Sequence, residues 1–124
     1  MIRFSARSFK AVLFALVLGA SLPALAHHSA SQFDFAQRVE VVGKIKSVAV
    51  ENPHIDLWLT VDNGDGTTRD IQFEGHSRNN VYRKGWRPDM MNEGDTISIF
   101  IAPMRSGEDG GYIQGFKLAD GTEF

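Results

Sequence analysis

Residues 39–74 read VEVVGKIKSVAVENPHIDLWLTVDNGDGTTRDIQFE, and this stretch decides the fold because it holds three strand patterns in succession. The first, Val39 to Val50, is rich in β-branched residues, and Gly43 inside it predicts a bend or bulge in a long strand. The second, Ile55 to Val61, alternates apolar and polar residues with the period of a half-buried strand. The third, Thr68 to Glu74, alternates in the same way and completes a hairpin.

Turn chemistry separates the three patterns. Glu51-Asn52-Pro53-His54 predicts a chain reversal, because proline cannot donate to a strand ladder and asparagine favours tight turns. Asp62-Asn63-Gly64-Asp65-Gly66 predicts a hairpin loop, because Asn and Gly accept positive φ values. A calcium loop of the EF-hand type is the alternative, but the spacing of its ligands and its terminal Glu are missing.

The rest of the chain adds one helix and two strands. Ser77 to Lys84 predicts a short helix with Ser77 as N-cap and Gly85 as its end, and Thr96 to Ala102 and Tyr112 to Leu118 predict strands. The fold class is therefore all-β with one short helix. The order predicts a five-stranded OB-like Greek-key barrel over residues 38–124, with an open β-sandwich as the alternative. Periodicity alone does not separate the two.

The first 26 residues have the three parts of a cleavable signal peptide. Arg3, Arg7 and Lys10 precede the apolar run Ala11 to Ala20, and Ala24-Leu25-Ala26 offers small side chains to a signal peptidase. The apolar run is shorter than the ~20 residues that cross a hydrocarbon core, which argues against a retained anchor. We therefore expect a periplasmic or secreted product that begins at His27 and has no membrane span.

Composition limits what such a product binds. Cleavage after Ala26 would remove three of the 13 Lys and Arg residues and none of the Asp and Glu residues. Residues 27–124 would then contain ten basic and 15 acidic residues, with a formal charge of −5. This balance disfavours a nucleic-acid partner, whose phosphates are bound mainly by clustered Lys and Arg. The chain has no cysteine, which excludes disulfides and thiolate metal sites.

Four histidines are the candidate metal ligands: His27, His28, His54 and His76. At a processed terminus, the amine and the imidazole of His27 can chelate one ion, and such nitrogen ligands suit copper or zinc. The first and third strands should run in the same direction. His54 and His76 would then lie at one end of the barrel. The alternative is that His27 and His28 belong to a solvated arm of residues 27–37, that His54 is only a turn residue and that His76 merely precedes the helix N-cap.

An aromatic patch is the other candidate binding surface. Two arrangements are open to the rings of Trp58, Phe100 and Tyr112. They can share the outer face, where OB-folds stack ligands. Alternatively, they can cover the barrel beneath an arm held by Phe33 and Phe35. No catalytic residues are predicted. The carboxylates at Asp56, Asp70, Glu74 and Asp95 occupy solvent-facing positions, and no serine has a nucleophile-elbow setting.

Several short motifs spread over the chain resemble those of a family of short exported bacterial proteins, known as a domain of unknown function. They are Ala26-His27-His28-Ser29, Phe33-Asp34, Gly43-Lys44-Ile45, Asn52-Pro53-His54, Glu74-Gly75, Arg83-Lys84-Gly85-Trp86 and Gly94-Asp95. The resemblance implies export and a single domain, and it carries no activity or cofactor.

These observations lead to one main hypothesis and two alternatives. The main hypothesis is an exported, non-enzymatic binding module that holds a transition metal, copper or zinc, through the histidines of its processed terminus and His54. The first alternative is a structural or protein-interaction domain of the cell envelope that docks a partner protein through its arm and aromatic patch. The second is an oxidase with an amino-terminal copper site, for which no substrate groove is readable.

Overall fold

The computed structural model describes residues 30–124, which form five strands and one α-helix. The strands are β1 (Val39–Val50), β2 (Ile55–Asp62), β3 (Thr68–Gly75), β4 (Thr96–Pro103) and β5 (Gly111–Lys117). The helix α1 (Arg78–Arg83) lies between β3 and β4, and single 3-10 turns occupy Ala30–Gln32 and Pro88–Met90.

The strands close into a barrel in the order β1-β2-β3-β5-β4. All neighbours are antiparallel except β3 and β5, which run parallel and pair at Glu74 with Tyr112 and at Gly75 with Ile113. The pairing of β1 with β4, from Val39 with Ile101 to Lys44 with Thr96, closes the sheet. The predicted OB-like barrel is confirmed, and the open sandwich is excluded because the sheet is closed.

Strand β1 is long because it pairs with two neighbouring strands, β4 and β2. Its first half pairs with β4 up to Lys44, and its second half pairs with β2 from Lys44 onward. Gly43 lies at this change of partner, where an added Cβ would come within 3.0 Å of the Leu59 Cβ. The register irregularity falls two residues further on, between Ile45 and Ser47, so the bulge lies beside the glycine and not at it.

The alternation of β2 decides which side chains enter the core. Ile55, Leu57 and Leu59 are buried inside the barrel, whereas Asp56, Trp58 and Thr60 are half-buried on its outer face. The core they join also contains Phe73, Ile99 and Phe116. Val39 is 40% exposed, because it is the first residue of β1 and lies at the rim of the barrel.

The helix is shorter than its sequence pattern predicts. It begins at Arg78, and Ser77 precedes it as N-cap without a side-chain hydrogen bond to the first turn. Val81 points into the core, and Gly85, with φ of 102°, ends the segment as predicted. No helix within residues 30–124 is long and apolar enough to cross a membrane.

Candidate functional site

The arm before β1 is fixed to the barrel by Phe33. Phe33 is 3% exposed and forms a β-bridge with Met104, just beyond β4. The Asp34 amide donates to the Pro103 carbonyl at 2.8 Å, and the Arg105 amide donates to the Gln32 carbonyl at 2.9 Å. The arm therefore forms part of the outer wall of the barrel from residue 30 onward.

Tyr112 on β5 is the centre of an aromatic cluster formed by Phe33, Phe35, Tyr112 and His76. Its ring lies 5.5 Å from the Phe33 ring, 5.4 Å from the Phe35 ring and 5.2 Å from the His76 ring, measured between centroids. Burial raises the pKa of the Tyr112 phenol, and the nearby Glu74 carboxylate raises it further. The phenol is thus held protonated, as a hydrogen-bond donor.

The predicted aromatic patch does not form one surface, because Trp58, Phe100 and Tyr112 lie in different surroundings. Tyr112 belongs to the aromatic cluster, whereas the Phe100 ring is covered by the Arg38 guanidinium, 3.7 Å from its centroid. Trp58 lies on β2 opposite Gln72, in a groove of its own. The sequence identified the aromatic residues of the outer face but missed His76 as a member of the cluster, because no local pattern relates β5 to the end of β3.

An acidic groove surrounds Trp58. Its walls come from β2, β3, the arm and the β4–β5 loop, it has a volume of about 330 Å³, and its charged lining residues are Asp70, Glu74 and Asp109. Because Trp58 pairs with Gln72, Asp70 and Glu74 are its diagonal neighbours on the same face. Diagonal neighbours are ~7–8 Å apart, within reach of long side chains. No basic residue lines this groove.

Two of these three carboxylates have basic partners just outside the groove. Lys46 and Thr60 donate to Asp70, and these hydrogen bonds, with that from Lys46 the stronger influence, hold the pKa of Asp70 below its ordinary value. Arg69 pairs with Asp109 at 2.9 Å. Glu74 has no ion-pair partner within residues 30–124, so its negative charge is the one open to a cationic ligand.

A second, basic groove lies on the other side of Tyr112. Phe35, His76 and Tyr112 form one wall, the charged lining residues are Arg38, Arg83 and Lys84, and the volume is about 680 Å³. An apolar recess of about 30 Å³ adjoins it beneath α1, and the two share the lining residues His76, Asn80, Lys84, Ile113 and Gln114. The aromatic cluster therefore separates two grooves of opposite charge.

The four candidate metal ligands fall into two groups. His27 and His28 lie outside the described residues. His54 precedes Ile55 and His76 follows Gly75, and because Ile55 pairs with Gly75, both exposed histidines lie at the same end of the barrel. No cluster of three or more His, Cys, Asp or Glu side chains within residues 30–124 could hold a metal ion.

A family model described as "Family of unknown function (DUF6152)" matches residues 15–114, which is most of the chain. No curated protein matches the chain, and no solved structure matches it.

Proposed function

The chain belongs to the DUF6152 family of unknown function, and we propose that it is an exported, non-enzymatic binding module that docks a basic segment of another envelope protein. The proposal rests on one observation: Trp58 lies between two carboxylates of β3 in a groove that no basic residue lines. An aromatic face and a carboxylate together bind ammonium or guanidinium groups by cation–π attraction and charge.

The contact chemistry favours a protein partner with lysine or arginine side chains. The Trp58 face is half-buried, so an alkyl stem can cover it while the charged head reaches the Glu74 carboxylate. The arm residues Gln32 and Phe33 form one border of the groove, which makes the arm part of the docking surface. An overall formal charge of −5 for residues 27–124 would also attract a basic partner over longer distances.

The test is binding of a tetralysine peptide to the protein purified after expression of the full chain. We expect quenching or a shift of the Trp58 fluorescence, with Trp58→Phe used to separate it from the signal of buried Trp86. Glu74→Gln should weaken binding about tenfold, since it removes a charge-assisted contact. Glu93→Gln is the matched control, because Glu93 is exposed in a turn outside the groove. Equal affinities for Glu74→Gln and Glu93→Gln would refute the docking site.

Transition-metal binding through His27, His28 and His54 is the second candidate. The observation that favours it is the chain of ring contacts from Phe33 through Tyr112 to His76, at the end of the barrel that also carries His54. His28 is five positions before Phe33 in the sequence, and five residues of fully extended chain span at most ~17 Å. The exposed imidazole of His54 is the better partner ring, because the lysine and arginine side chains beside His76 repel a cation.

Copper titration tests the metal candidate. Protein that starts at His27 should bind about one equivalent of Cu(II), and a version with three extra residues before His27 should bind more weakly, because its terminal amine is displaced from the imidazoles and neither His27 nor His28 is then the third residue of the chain. His54→Gln should weaken binding further, with His76→Gln as the matched control. Identical titrations for the two starting points would remove the terminal chelate. This result would leave the Trp58 docking site unaffected.

A further inference from the structure

Basic residues are concentrated around α1, although the domain as a whole is acidic. Residues 75–88 contain four Arg or Lys residues and no acid, and Arg38 from the end of the arm joins them across the barrel surface. The ion pairs within residues 30–124 use other bases, namely Lys46, Arg69 and Arg105. The charges around α1 are therefore not neutralised by carboxylates of the described chain.

Three of these bases face one basic groove, the groove of about 680 Å³ beside the aromatic cluster. Arg83 ends α1 and Lys84 follows it, whereas Arg38 immediately precedes β1. The Arg38 guanidinium stacks over Phe100, which limits its freedom and fixes its charge at the groove. No carboxylate lines this groove, so the three positive charges act together on whatever enters it.

The opposite wall of the basic groove is aromatic. Phe35 is 46% exposed and meets the Tyr112 ring at an angle of 64°, so the two rings form an open corner. Tyr112 also lines this groove, and its phenol supplies an O–H donor. The recess beneath α1 adds apolar contacts from Ile113 and Phe116. This lining suits a ligand with a flat apolar body and an anionic group.

We propose that the basic groove between α1 and the aromatic cluster binds a small aromatic organic anion. Its carboxylate, sulfonate or phosphate is held by Arg38, Arg83 and Lys84, and its ring packs against Phe35 and Tyr112. His76 then serves as part of the wall of an anion site and not as a metal ligand. The site goes beyond the proposed docking function, since its residues and the charge of its ligand differ from those of the Trp58 groove.

The test uses 1-anilinonaphthalene-8-sulfonate as the probe and protein purified after expression of the full chain. N-phenyl-1-naphthylamine, which has the same rings without the sulfonate, is the matched ligand. Arg83→Gln/Lys84→Gln should weaken binding of the sulfonate at least about tenfold, since charged hydrogen bonds are lost, and should leave binding of the neutral amine unchanged. Binding of the sulfonate should also weaken as salt rises to about 1 M.

Lys44→Gln/Arg78→Gln is the matched control variant. It removes the same total charge, and one of its changes lies on the same helix, but neither residue lines the groove. It should bind the sulfonate as the unchanged protein does. Equal weakening in both double variants would show a general charge effect and overturn the site.

A measurement on the unchanged protein covers the case in which a variant does not fold. Amide shifts caused by the sulfonate should concentrate at Phe35, His76, Lys84 and Tyr112. Shifts centred on Trp58, or no saturable binding, would overturn the proposal. Tetralysine binding reports on the acidic groove around Trp58, whereas sulfonate binding reports on the basic groove. Failure of one proposal is therefore distinguishable from failure of the other.

Discussion

The ring of Tyr112 packs edge-on against the imidazole of His76, with centroids 5.2 Å apart and ring planes at 88°. The same tyrosine pairs through its backbone with Glu74, which lines the acidic groove, while its ring lines the basic one. One residue of β5 thus stands between two grooves of opposite charge. The acidic and the basic lining residues are therefore kept apart on the surface of a single small barrel.

Anchoring of the arm depends on Phe33 more than on Phe35. Phe33→Ala should lower the free energy of unfolding by about 3 kcal/mol, because it leaves a cavity under the arm. Phe35→Ala should cost less than about 1 kcal/mol, since that ring is largely exposed. Urea denaturation measures both. Similar losses in the two variants would mean that the arm is not held by burial of Phe33.

The start of β5 requires glycine at position 111. A Cβ added at Gly111 would lie 2.7 Å from the carbonyl oxygen of Ala102, a backbone atom that cannot move without disturbing β4. We expect Gly111→Ala to destabilise the barrel by about 3 kcal/mol. Gly107→Ala is the control, because its Cβ meets open space and its positive φ costs only about 1 kcal/mol. Thermal unfolding that ranks the two variants in the reverse order would contradict the register of β4 and β5.

The Asp70 carboxyl should contribute to acid sensitivity. Its pKa in the folded protein lies below the ordinary 3.8, through hydrogen bonds from Lys46 and Thr60. A lowered folded pKa gives stability that is fully present above pH 3.8 and is lost as pH falls through the folded pKa. Lys46→Met should move the Asp70 pKa back up, with a smaller rise for Thr60→Val, as measured by carboxyl NMR titration. An unchanged titration in Lys46→Met would show that this pair does not persist in solution.

Processing of the leader should occur after Ala26. Intact-mass measurement of the exported protein should give a chain that begins at His27, and Ala26→Pro should block cleavage, because the peptidase pocket needs a small, flexible residue. Ala20→Val lies outside the cleavage motif and is the control. A product that starts elsewhere would remove the terminal chelate from consideration and would leave both grooves intact.

The residues on the outer face of the barrel show how much of a binding site can be predicted from the sequence. The alternation of β2 placed Trp58 outside and Leu57 inside, and both predictions are confirmed. The strand directions predicted that His54 and His76 share one end of the barrel, as the pairing of Ile55 with Gly75 confirms. The sequence did not predict the basic groove, because Arg38 and Lys84 lie in segments that are far apart in the chain and share no periodic pattern.

The amino-acid sequence by itself determined the number and order of the strands, the turns between them and the faces they bury, because these features follow from local alternation and turn chemistry. Only the tertiary structure decided that the sheet closes, since closure depends on β1 pairing with β4, a contact between distant segments. It also decided that the charges separate into two grooves. Strand register and non-local pairing select which outward side chains become neighbours, and neither is encoded in any single stretch of the chain.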